Sequence, residues 1–193
     1  MKKLLLAVIA LITFGGLSIS QTTEKDFRDF AWGSSFSQVK KNEKVKFLSQ
    51  DTSTLITYDD HLAAYNVEVN YQFNENDKLV SGTYNFTKKH SNPQLYIEDY
   101  GIFKNLLTTK YGDPNLNKEE WSSNTTPNDK QNYGQAVADG HLSLYSVWET
   151  KRSLIKIILS SSNNRPFLQI HYTTKSFGEL ENKEELSKAL LKL

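Results

Sequence analysis

Four histidines, His61, His90, His141 and His171, are the side chains of this sequence best suited to acid–base or metal chemistry, and they stand far apart. None belongs to H-E-x-x-H, the spacing that sets two imidazoles on one helical face of a zinc site. No serine sits in G-x-S-x-G, and no glycine-rich run forms a phosphate cradle. Asp59-Asp60 and the run Asn74-Glu75-Asn76-Asp77 carry oxygen ligands. Neither has the alternating spacing of a calcium loop, and both suit a hairpin turn. The chain has no cysteine, which excludes disulfides, thiolate catalysis and cysteine zinc sites. Asn85-Phe86-Thr87 and Asn124-Thr125-Thr126 are glycosylation sequons, which matter only in a glycosylating host. No pair of carboxylates is marked out for glycoside hydrolysis. The pattern assigns no catalytic residue, no metal and no cofactor.

The elements that would position any site begin after a separate leader. Lys2 and Lys3 precede an uncharged apolar run from Leu4 to Phe14, broken by Gly15-Gly16, and Ser18 and Ser20 are small. Residues 1–20 therefore read as a secretory signal cut between Ser20 and Gln21, with an apolar run short for a membrane span. The mature protein is expected to be exported and soluble, in the periplasm or the exterior of a bacterium, with no membrane anchor. Residues 21–193 have the length of one domain with a sizeable core. Lys2 and Lys3 leave with the signal, so acids outnumber bases by one in the remainder. That balance gives no electrostatic ground for nucleic acid or an anionic membrane surface. Without disulfides the domain must be held by its interior, which suits ten Tyr, ten Phe and three Trp.

The segment Phe30–Lys44 reads as an extended lead, a turn at Gly33 and a short helix. Ser35 and Gln38 have capping-box spacing, Phe36 and Val39 can face inward, and Trp32 plugs the core above them. The period then becomes two. "TLITYDDHLAAY" is a strand turning at Asp59, Asp60 and His61. Val67, Val69, Tyr71 and Phe73 alternate with polar residues, and Val80, Gly82, Tyr84 and Phe86 resume the alternation after the Asn74–Asp77 turn. The plan repeats downstream. Ser91 or Asn92 caps a helix entered through Pro93 and ended at Gly112, with Tyr96, Tyr100, Phe103 and Leu107 in one stripe widened by Ile102 and Leu106. Strands follow at Leu142–Glu149, Leu154–Leu159 and Phe167–Tyr172. The predicted fold is α+β: two repeats, about 27–90 and 91–175, each a helix plus a three-stranded antiparallel meander, joined in one sheet with both helices on one face. Asn115–Gly140 reads as a long polar loop outside the repeats, and 179–193 as a C-terminal helix entered at Asn182 and Glu185.

"WGSSFSQV" near the expected mature N-terminus, and "KYGDP" closing the second helix ahead of Trp121, resemble motifs of small exported bacterial proteins of unknown function. The tandem helix-plus-meander plan is similar to the fold of the β-lactamase-inhibitor protein and of the SmpA/OmlA envelope lipoproteins. The resemblance implies the fold and no functional residue.

Strand parity points to the surface that could bind. It sends Leu144, Trp148, Ile155, Ile157, Leu168, Ile170 and Tyr172 inward. Tyr145, Val147, Leu154, Lys156, Ile158, Phe167, Gln169 and His171 then face outward beside the polar Glu68, Asn70, Gln72, Ser81, Thr83 and Asn85. An outward face this apolar in its second half is either covered by the 115–140 loop or the C-terminal helix, or it binds a partner. Tyr145, Phe167, His171, Gln169 and Lys156 are its candidate binding residues. Two functions follow from different classes. One is a binding or protein-interaction module using that face and the 115–140 loop, its partner a protein or small ligand of unknown identity. The other is a small hydrolase whose site assembles only in three dimensions.

Overall fold

The computed structural model describes residues 24–52, 54–122 and 132–176. The signal segment with its Ser20–Gln21 cut, the C-terminal helix at 179–193 and part of the 115–140 loop lie outside the described residues. The chain runs through α1 (Phe36–Asn42), β1 (Lys46–Asp51), β2 (Leu55–Leu62), β3 (Tyr65–Phe73) and β4 (Leu79–Phe86). It continues through α2 (Gln94–Tyr111), β5 (Leu116–Trp121), α3 (Tyr133–Ala138), β6 (Leu142–Glu149), β7 (Ser153–Ser162) and β8 (Arg165–Thr174). The eight strands form one antiparallel sheet in the order β1-β2-β3-β4-β8-β7-β6-β5. The fold is α+β, and the last strands of the two halves, β4 and β8, pair at the centre.

Each half contributes four strands, not the expected three. The added strands, β1 and β5, are the two sheet edges. All six residues of β1 are exposed, and in β5 only Trp121 is partly covered. Neither buries a face, so neither carries the period-two signal. Hydrogen bonds to β2 and β6 define them instead. Three charged residues in β5 and a register break between Phe47 and Ser49 in β1 suit edges that must not recruit a further strand. The 115–140 loop is corrected for the same reason, since it holds β5 and α3. A Cβ on Gly134 of α3 would lie 2.4 Å from the Gln94 backbone nitrogen, so glycine lets this short helix abut the start of α2.

The first expected turn also moves. Asp59, Asp60 and His61 lie within β2, and the hairpin turns at Ala63-Ala64, with Ala63 at φ 55°. Asp60 belongs in the strand because it accepts from Arg28 on the helix side at 2.6 Å. The Asn74–Asp77 turn holds, with Asn74 Oδ1 accepting from the backbone N–H groups of Asn76 and Lys78.

Both main helices cover one sheet face. Val39 of α1 is fully buried, and the Phe36 ring meets Phe73 of β3 at 5.3 Å. The capping box forms as read, Ser35 N–H donating to Gln38 and Gln38 N–H donating to Ser35 Oγ. On α2, Tyr96, Tyr100, Phe103 and Leu107 are buried, and Phe103 packs on Phe86 at 4.4 Å. Ile102 and Leu106 do not widen that stripe. They are 46% and 54% exposed, because a helix lying on a sheet buries only one narrow strip. All seven second-half residues assigned inward are buried. Trp32 is partly buried against this core and ties the halves together, its indole N–H donating to Ser153 at 2.9 Å.

Candidate functional site

The register places side chains of the open sheet face in rows. Thr57, Asn70, Thr83, His171 and Lys156 are successive cross-strand neighbours on β2, β3, β4, β8 and β7. Glu68, Asn85, Gln169, Ile158 and Tyr145 form the next row. Two residues in sequence separate the rows on every strand, so all ten side chains point away from the helices. Where the two halves meet, the face holds a depression of about 380 Å³. Asn70, Gln72, Thr83, Asn85, Gln169 and His171 line its body, with Asp51, Thr52, Thr54 and Leu55 from the β1–β2 hairpin at its rim.

The lining is polar and almost uncharged. Thr83 is 7% exposed and sits low between taller neighbours. Its hydroxyl lies 3.2 Å from His171 Nε2. Gln169 Nε2 donates to Asn85 Oδ1 at 2.7 Å. Asn70 Oδ1 is buried and has no hydrogen-bond partner, a state that costs free energy unless something donates to it. Burial, and then the neighbouring Lys156 ammonium, push the His171 imidazole below its ordinary range. The ring is therefore neutral near pH 7, with one donor and one acceptor nitrogen. Lys156 leans over the Tyr145 ring at 4.8 Å. Tyr145 donates to Glu120 of β5 at 2.7 Å, a bond that raises its phenol.

Other polar clusters are satisfied internally. Below the sheet, Arg28 meets Asp60 at 2.6 Å and Glu43 at 3.3 Å, and Tyr71 donates to Glu43. His90 lies 2.6 Å from Asp99, which also accepts from Tyr65. A second depression of about 260 Å³ beside the N-terminal arm has charged walls, but Asp26 is spent on Arg152 and Lys25 on Asp29. Among the described residues no three His, Asp or Glu side chains converge as metal ligands. No helix among them is long and apolar enough to cross a membrane.

The five candidate binding residues all lie on the open face. His171 and Gln169 line the depression, Lys156 flanks His171, and Phe167 stands two residues along β8 from Gln169. Tyr145 lies two strands away from Gln169, beyond Ile158. Tyr145, Phe167 and His171 are half-buried, so the patch is neither bare nor core. Parity alone places Asn70, Gln72, Thr83 and Asn85 outward, but they lack the aromatic character that suggests an interface. What singles them out is convergence across the β4–β8 seam, which joins residues some 90 positions apart in sequence. The rim residues Asp51 and Thr52 gave no sign because β1 has no periodic signal, while Thr54 and Leu55 open the stretch read as a strand.

No protein-family model matches this chain, and no curated protein matches it. Among solved structures it is similar to a DUF4309 family protein (YjgB) from Bacillus subtilis, with 12% identity and a TM-score of 0.33 over 66% of this chain and 68% of that one.

Proposed function

We propose that this protein is an exported binding module that holds its ligand on the open sheet face, in the depression across the β4–β8 seam. The observation that carries the reading is the concave polar lining that the seam assembles from Asn70, Gln72, Thr83, Asn85, Gln169 and His171, with Asn70 Oδ1 buried and without a protein partner at its floor. Small-ligand sites are concavities in which a few polar groups converge, and buried acceptors are normally satisfied. Hydrolysis is the weaker reading. His171 touches Thr83, but both sit mid-strand, where backbone N–H groups are engaged in the ladder and are not free to stabilise an oxyanion. Filling the depression tests the proposal. Gln72→Trp should abolish capture of the ligand from the protein's native surroundings and leave the melting temperature nearly unchanged, because Gln72 is exposed. Leu106→Trp, on the outer side of α2, should bind normally. Equal loss in both, or in neither, would remove the open face from consideration.

A further inference from the structure

We infer that the ligand of this face is a neutral saccharide, an inference that rests on the binding-module reading above. A sugar offers closely spaced hydroxyls, each able to donate and accept, around an apolar C–H surface. The depression matches that pattern group for group. After their mutual bond, Asn85 keeps its Nδ2 donors and Gln169 its Oε1 acceptor, side by side on β4 and β8. The contact between Thr83 and His171 Nε2 leaves His171 Nδ1 free, in the adjoining row. Asn70 Oδ1, beneath them, has no protein donor. Ring surface for the C–H side comes from Phe167, two residues from Gln169 on the same strand.

Charge and topology argue against other ligands. Among the described lining residues Asp51 is the one acidic side chain and there is no Lys or Arg. Lys156 stands one strand out, over the Tyr145 ring, so an anionic ligand meets an acid within the depression and a cation only beside it. An extended peptide adds to a sheet through backbone groups at an edge, whereas the depression lies over central strands whose backbones are already paired. A protein interface is built around an apolar core, and here the floor is hydroxyl and amide. The volume of about 380 Å³ lies within the range of small-ligand sites.

The test uses the full mature chain, isotope-labelled for NMR. It is titrated with millimolar cellobiose, maltose and chitobiose, with the acidic disaccharides of hyaluronan and alginate, and with a mixed peptide library. One of the neutral disaccharides should shift resonances of Asn70, Thr83, Asn85 and Gln169. Asn70→Leu and Gln169→Ala should each weaken that binding about tenfold or more, with unchanged melting temperature. Shifts on these residues from acidic sugars or peptides alone would overturn the saccharide inference and leave the open-face reading standing. Shifts confined to the helix side would overturn both. No response to any neutral sugar would overturn the saccharide inference.

Discussion

Gly82 and Thr83 are neighbours on β4, yet they face two different chemistries. Below Gly82, the side covered by the helices is closed by Phe27 of the N-terminal arm. Its ring packs on Tyr71, Tyr84 and Tyr172 at 5.1–5.3 Å, and it is 1% exposed. Above Thr83 the neighbours are Asn70 and His171, and the surface is open. The polar groups differ as sharply. Beneath the sheet, Arg28 binds both Asp60 and Glu43, and Glu43 also accepts from Tyr71. Tyr58 OH is the exception there, buried without a partner. Above the sheet, amides and hydroxyls hold one another and keep capacity to spare. The buried charge pairs cluster on the helix side, and spare hydrogen-bonding capacity gathers on the side where we propose the ligand.

The largest break in this comparison should come from Gly82→Ala. A Cβ there would sit 2.1 Å from the Phe27 ring, so the ring must leave the core. The expected loss is about 3 kcal/mol in urea unfolding, in the range of severe overpacking. Combining it with Phe27→Ala should cost much less than the sum, because both changes remove one contact. An additive double mutant would mean that the ring does not close the seam. Next in size is Arg28→Ala, which strands Asp60 and Glu43. The expected cost is about 2 kcal/mol by the same measurement, below the roughly 3–5 kcal/mol of a fully buried pair. The discount reflects side-chain exposures of 18% and 21% for Arg28 and Asp60. An unaffected midpoint would show that this charge network is decoration.

Sequence periodicity revealed the helix-side face well and the open face poorly, for one physical reason. Burial leaves a pattern: Val67, Val69, Tyr71 and Phe73 alternate because one side of β3 is dry, and every one of them is buried. The α2 stripe and the inward set of β6, β7 and β8 were legible for the same cause. Edge strands bury no continuous face, so Lys46–Asp51 and Leu116–Trp121 left no alternating pattern. Phe27 was equally silent, since its place depends on a glycine 55 positions away in sequence. The depression was half legible. Parity predicts that Gln169 and His171 face outward, but only the β4–β8 register brings Asn85 and Thr83 beside them.

The smallest effect concerns His171 and sharpens the contrast through pH. Burial, then Lys156, hold its imidazole below the usual value of 6.5. The unfolded chain therefore takes up the proton at higher pH than the folded one. By linkage, the stability tied to the neutral ring is fully present above about pH 6.5 and is lost as pH falls from there toward the folded-state value. The melting temperature should be level from about pH 8 to 7, with a His171 contribution to its decline of about 2 °C or less by pH 5. His171→Gln keeps a polar group beside Thr83 and should remove that part of the decline. Lys156→Met removes the second cause and should shrink it. Carboxylates titrate mainly below this window, and the other three histidines, His61, His90 and His141, are present in every variant, so the difference between curves isolates His171. Parallel curves for the parent and His171→Gln would show that the open face exacts no electrostatic cost, and that its imidazole is as free to charge as one in water.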